Sequence, residues 1–202
     1  AIPAAAWEEW KRPWVEYRGF RYLSPREPIF VHQYSHAWFD FHGKRDRHAD
    51  YFANSVVATQ AHQAFCAGLA DRWPHFSQDV WGITASDSAR GYVAWGGPPE
   101  IGELDGTLVP SAAAGSLPFL LQDCVRCLRQ FRERHTAAAW TRFGLADAFN
   151  PAKGWVGPDV IGINAGISLL MAENARTGFV WNTFMENPEA RRAMKLVGFR
   201  KS

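Results

Sequence analysis

The residues best equipped for chemistry lie together between positions 31 and 52. They are His32, His36, His42 and His48, the carboxylates Asp40, Asp46 and Asp50, and Arg45 and Arg47, interleaved with Trp38, Phe39, Phe41, Tyr51 and Phe52. Imidazoles and carboxylates hydrogen-bond hydroxyl groups and flat rings cover the apolar face of a pyranose, so this mixture suits a sugar-binding cleft. A wet, partly buried helix end is the competing reading. His32 and His36 stand four apart, on one face of any helix, and His32-Gln33-Tyr34-Ser35-His36 has the outline of the HExxH zinc motif. Gln33 takes the place of the glutamate that would activate water and no third ligand is evident, so neither a metal nor a cofactor is expected. Asp40 is the acid that most needs an explanation: between Phe39 and Phe41, a carboxylate costs free energy unless it is partnered or used as a base or nucleophile. Farther along, Trp81-Gly82-Ile83-Thr84-Ala85-Ser86-Asp87 combines a ring, hydroxyls and an acid. Asp105-Gly106-Thr107, by contrast, is a turn and needs no functional explanation. Hydrolysis of a glycosidic bond generally needs two carboxyl groups flanking the scissile linkage, and Asp40 and Asp87 are the candidates.

Composition narrows the partners. Of 202 residues 47% are hydrophobic, enough for one sizeable core, and a net charge of only +2 supplies no field that would attract nucleic acid. Ten Trp, fourteen Phe and five Tyr are a heavy aromatic load, of the kind found in large clefts or interfaces, with carbohydrate the obvious partner. The three cysteines, Cys66, Cys124 and Cys127, are too few and too irregular for a disulfide framework, and Cys124-Val125-Arg126-Cys127 reads as two small residues on one helix. No run approaches the roughly eighteen apolar residues of a membrane span. The start, Ala1-Ile2-Pro3, has neither an initiator Met nor a signal pattern, so a processed chain or a fragment is expected.

The elements that would position these residues are mainly helical. A short amphipathic piece, Trp7 to Lys11, stops at Pro13, and a long helix is predicted from Arg47 to about Arg72, ended by Trp73-Pro74. From Phe76 to Pro110 periodicity vanishes and Gly and Pro accumulate, predicting a long loop of the sort that builds a site. A helix follows from Leu117 or Pro118 to His135, with Cys124, Cys127 and Phe131 inward and its arginines outward. After a loop over 143–158, Gly162 to Asn174 reads as a helix buried on most sides. Asn187-Pro188-Glu189 starts a last helix that stops at Gly198. Strand signals are confined to scraps such as Phe179 to Trp181.

The motifs together resemble a known family. His32 to Gly43, Asp50-Tyr51-Phe52-Ala53-Asn54-Ser55, Trp81 to Asp87 with Gly91-Tyr92, Asp105-Gly106-Thr107 with Pro110, and Met171 to Gly178 leading to Trp181 are similar, in order, to the glucoamylase-like family that includes bacterial endo-β-1,2-glucanases. The resemblance spans about residues 5–199. It implies an all-α fold, an (α/α)6 toroid with its cleft at one end, and an extracytoplasmic glycoside hydrolase acting on β-glucan. Related modules of cyclic β-1,2-glucan synthases are transglycosylases. Family members are about twice as long, and their earlier half carries a glutamate that is the leading candidate for the general acid. Residues 1–202 are therefore expected to form one partial domain, the C-terminal half of the helical barrel with long loops at the cleft end, from a periplasmic or secreted parent. His32, His36, Trp38, Arg45, Asp46, Thr84 and Trp181 are then expected substrate contacts, beside Asp40 and Asp87. Related sequences carry Asp where this chain has Asn164, and Asn cannot act as a base. That leaves open a noncatalytic carbohydrate-binding remnant. A half ring would also expose apolar helix faces, so self-association is expected.

Overall fold

The computed structural model describes residues 3–202. Helix α1 (Ala5–Glu9) is followed by an antiparallel ribbon, Trp14–Tyr17 with Phe20–Leu23, whose register pairs Val15 with Tyr22. A 3-10 turn at Ile29–His32 leads into α2 (Tyr34–Trp38) and then α3 (Tyr51–Ala67), with a second 3-10 turn at Gly68–Asp71. The predicted long helix thus begins later than Arg47. Asp46 accepts hydrogen bonds from the backbone N–H groups of His48 and Ala49, closing a turn there, and Asp50 caps α3 by accepting from Ala53 N.

The stretch from Phe76 to Val109 is largely irregular, with one two-residue ribbon (Ala85–Ser86 with Val93–Ala94). It is not a surface loop. Phe76, Val80, Trp81, Ile83, Trp95, Leu104 and Leu108 are buried in the main core against α3 and α5. Helices α4 (Pro110–Ala114), α5 (Leu121–Arg134) and α6 (Thr136–Ala139) follow. Cys124, Cys127 and Phe131 face inward from α5 while Arg126, Arg129, Arg132 and Arg134 stay exposed, as the sequence predicts. The start of that predicted helix, residues 117–120, is instead a run of turns, and α5 begins at Leu121.

Residues 140–156 form two small ribbons, Trp140–Thr141 with Gly144–Leu145 and Phe149–Asn150 with Trp155–Val156. Then come α7 (Gly162–Thr177), α8 (Phe179–Glu186) and α9 (Pro188–Leu196), and the terminal pair Arg200–Lys201 lies antiparallel to Lys44–Arg45. Phe179 to Trp181, expected as strand, is helical. Gly178, in the left-handed region at φ +69°, ends α7 and restarts the chain as α8, which turns Trp181 inward and leaves Phe179 exposed. Asn187 caps α9 by accepting from Glu189 N. The fold is therefore helix-rich with short ribbons between helices.

A further expectation fails. Helix α7 buries only Ile167, Met171 and Asn174, while Ile163 and Leu169 are 62% and 71% exposed. Its single buried stripe packs against α2, where Ala37, Phe119, Ile167 and Met171 form a small core. Phe179 on α8 and Leu196 on α9 are likewise exposed. The molecule presents 10578 Å² to solvent, about 1,000 Å² more than a compact monomer of 22.7 kDa should. We expect light scattering after size exclusion to give a mass above that of the monomer, and Ile163→Glu with Leu169→Glu to shift it down. A cooperatively melting wild-type monomer would contradict this.

Candidate functional site

Two places could hold a ligand. The first is an open cavity of about 710 Å³ enclosed by residues 3–13, α2, the start of α3 and the end of the chain from α9. Its walls are largely aromatic and aliphatic, among them Trp7, Trp10, Phe39, Phe41, Tyr51 and Phe199. The Arg12 guanidinium lies over Trp7 and Trp10, 5.0 and 4.7 Å from the ring centroids, and donates to Tyr51 OH at 2.7 Å. His32 and His36 line the cavity but are buried. His36 Nε2 pairs with Ser55 Oγ at 3.2 Å, while His36 Nδ1 and His32 Nε2 have no partner among the described residues. Burial holds His32 at a pKa of about 4, with His62 nearby adding to the effect, and His36 at about 3, so both are neutral at neutral pH. They sit on successive turns of different type, 3-10 and α, broken at Gln33. The Gln33 amide is itself turned inward, donating to Ala112 O and Ser116 Oγ. Among the described residues no group of three His, Cys, Asp or Glu side chains is placed to hold a metal ion.

Most of the remaining expected contacts are held by other protein groups. Asp46 is buried and fully engaged: besides two backbone donors it accepts from Trp7 Nε1 at 2.8 Å and Tyr51 OH at 3.1 Å. Burial alone would raise its pKa, but these four donors outweigh it and lower the value. Trp181 is buried, its Nε1 donating to His36 O at 2.5 Å and its backbone N to Asn174 Oδ1, which fastens α8 to α2. Trp38 is 43% exposed and packs on Phe184, and Arg45 is exposed on the terminal ribbon. Asp40 closes a turn, accepting from His42 N at 3.0 Å and Lys44 Nζ at 2.6 Å, with His42 Nδ1 at 2.9 Å. Burial pushes its pKa up, yet those bonds and the Lys44 charge prevail and hold it well below the usual carboxylate range.

The second place gathers acids that are far apart in sequence. Asp87 N donates to Asp147 Oδ2 at 3.4 Å, and Asn164 Nδ2 donates to Asp147 Oδ1 at 2.7 Å and reaches Ala85 O at 3.5 Å. Tyr34 OH donates to Ile163 O at 3.2 Å, and the nearness of Asp147 and Tyr92 helps raise the Tyr34 pKa, behind burial. Thr84, buried just before the ribbon, leaves its Oγ1 without a partner. Burial raises the Asp147 carboxyl above the usual range; the bonds from Asn164 and Asp87 N act against this, and the Asp87 and Asp159 charges add to it. Of the sequence candidates, only Thr84 and Asp87 belong to this neighbourhood. Sequence reasoning passed over Asp147, although Leu145-Ala146-Asp147-Ala148-Phe149 embeds an acid in an apolar run by the same logic that singled out Asp40.

A pH dependence of stability follows from the buried imidazoles. His62, like His32, is held at about 4 by burial. The unfolded chain takes up these protons near pH 6.5 while the fold refuses them, so stability is complete above 6.5 and is lost as pH falls towards 4. Each histidine contributes up to about 1.4 kcal/mol per pH unit in that window. Thermal melts followed by circular dichroism should drop by about 10 °C or more between pH 7.5 and 5.0. An unchanged midpoint would show that the imidazoles are charged or solvated.

The chain is similar to known proteins over nearly its whole length. Residues 1–188 match the Glycoamylase family model, described as "Putative glucoamylase". The chain is 31% identical over 170 residues to an exo-β-1,2-glucooligosaccharide sophorohydrolase (non-reducing end) of Parabacteroides distasonis, covering 84% of this chain and 23% of that protein. It superposes with a TM-score of 0.90 and 26% identity on the endo-β-1,2-glucanase of Chitinophaga pinensis in complex with sophorotriose and glucose, covering 99% of this chain and 50% of that one. A β-1,2-glucanase from Parabacteroides distasonis superposes with a TM-score of 0.85 at 28% identity, over 96% of this chain and 29% of its own. The chain thus spans half or less of the length of these relatives. With nearly its whole length matched, the chain belongs to the glucoamylase-like family.

Proposed function

We propose that the protein to which this chain belongs is a glycoside hydrolase acting on β-1,2-linked glucan, and that the chain forms the C-terminal half of an (α/α)6 ring whose cleft end carries Asp87, Asp147 and Asn164. The observation that carries the reading is the convergence of Asp87 and Asp147, with Tyr34, beside the N-terminus of α7. Glycoside hydrolysis uses two carboxyl groups of different proton affinity, and a buried acid beside other acids is how proteins separate those affinities. In this reading the general acid comes from the other half of the ring and protonates the leaving oxygen. Asp87 serves as base or nucleophile on this side, ahead of Asp40, whose oxygens are occupied by Lys44 and His42. Thr84 is buried and supports this end from beneath. Trp38 and Arg45 are available at the surface, while His32, His36, Asp46 and Trp181 support the wall from beneath. The half-ring reading also supplies an origin for the aromatic cavity and the bare apolar faces, as surfaces that the other half covers. An extracytoplasmic location belongs to the same proposal.

The placement of Asn164 favours a second reading, a carbohydrate-binding remnant without hydrolysis, because an amide at that position has no basicity. Calorimetry with β-1,2-glucooligosaccharides alongside a reducing-end assay separates the two, since binding without product favours the remnant. For the leading proposal, Asp87→Asn at the aligned position of a full-length relative should lower β-1,2-glucan turnover by about 100-fold or more, and Asp40→Asn should cost far less. Wild-type turnover by the Asp87 variant would overturn the assignment.

A further inference from the structure

The Asn164 side chain is oriented by the groups it donates to. Its Nδ2 meets Asp147 Oδ1 at 2.7 Å and Ala85 O at 3.5 Å, both pure acceptors when Asp147 is ionised. A flipped amide would set Asn164 Oδ1 against a carboxylate oxygen, so the chemistry of the two partners selects one rotamer. Among the described residues the amide oxygen then accepts from no donor, yet it is not among the buried unpartnered atoms. It is an unused acceptor within reach of solvent, at the third residue of α7. Asp147 in turn is buried, and its second oxygen is held by Asp87 N at 3.4 Å.

We infer that Asp147 is a positioning residue which, by taking the Asn164 amide protons, fixes Asn164 Oδ1 as the acceptor for a saccharide hydroxyl. The inference rests on the reading of this end as the sugar cleft. An ionised carboxylate binds the amide more tightly than a carboxylic acid does, and a protonated Asp147 could instead donate to a flipped amide. The orientation is therefore firm above the Asp147 pKa and loosens as pH falls through it. The groups that face Asp147 are Asp87 from the irregular stretch, Asp159 from the segment before α7, Tyr34 from α2 and the Asn164 amide. The two acids move the loosening towards neutral pH.

Two measurements test this. In the free protein, the Asn164 side-chain amide resonances in a nitrogen–proton NMR spectrum should shift with the titration of the Asp147 carboxyl. In Asp147→Asn that pH dependence should vanish while the rest of the spectrum persists. Asn164 resonances that ignore pH in the wild type would overturn the clamp without any ligand. In calorimetry with sophorotriose, Asp147→Asn should bind about tenfold more weakly than wild type at pH 7 and with an affinity flat in pH, whereas the wild type weakens as pH falls. Equal affinity and equal pH profiles in the two proteins would overturn the inference and leave the proposed function standing. An NMR-verified clamp in a wild-type protein that binds no sophorotriose would refute the sugar-cleft reading instead, and with it the saccharide role of Asn164.

Discussion

The fold depends on satisfying buried backbone polar groups along a stretch that has almost no helix or sheet to do it. Residues 76–109 cross the main core, so their N–H and C=O groups need partners that a ladder would ordinarily provide. One imidazole does much of this. His62 on α3 sits 2.7 Å from Gly97 O through Nδ1, which must carry the proton, and that fixes Nε2 as the acceptor for Ile83 N at 3.2 Å. The same ring therefore ties two distant points of the irregular stretch to one helix, and it can do so only while neutral. Gln63 donates to Gln78 O from the next position, and the Cys127 thiol donates to Trp81 O from α5. The close approach extends to packing: a Cβ at Gly97 would run into the Phe65 ring.

The same device recurs wherever two elements meet without a shared sheet. Asn54 imitates a strand partner, accepting from Leu23 N at 2.7 Å and donating to Leu23 O at 2.9 Å, which docks the first ribbon on α3. Asn174 donates to Ala37 O and accepts from Trp181 N, joining α7, α2 and the start of α8. Asn150 donates to Asp105 O and Thr107 Oγ1, holding the ribbon of residues 149–156 to the turn before α4. Side-chain amides suit this task because each offers a donor and an acceptor at the spacing of a peptide group. The acidic end of the molecule is assembled by the same means, with the Asn164 amide bridging Asp147 and the backbone at Ala85.

This mode of construction also occupies much of the dense segment between His32 and Asp50. Its carboxylates are engaged: Asp46 by four donors, Asp40 by a turn and Lys44, and Asp50 by a helix cap. Its aromatic rings divide between the wide cavity and the contacts of α2 with α8, where Trp38 and Phe39 meet Phe184. A carboxylate among aromatics needs a partner, and here the partner was already nearby in sequence.

Helix identity, caps and inward faces were legible wherever a local rule sufficed. The Asn187 cap, the Cys124, Cys127 and Phe131 stripe and the placement of arginines outside all follow from residue type and spacing. Phe179 to Trp181 misled because a short apolar run is equally compatible with strand and helix, and the glycine before it decided the matter. The burial of α7 could not be read, since periodicity shows which stripe can be buried but not whether a neighbour is there to cover the other. The candidate site was less legible still. Asp87, Asp147 and Asn164 are separated by 60 and 17 positions, and no local pattern announces that they meet. The family, the helical elements and a surplus of groups fit for sugar follow from residue types and their order alone. Which of those groups are left free depends on long-range packing, because a polar side chain becomes available for function only after the buried backbone has taken the partners it needs.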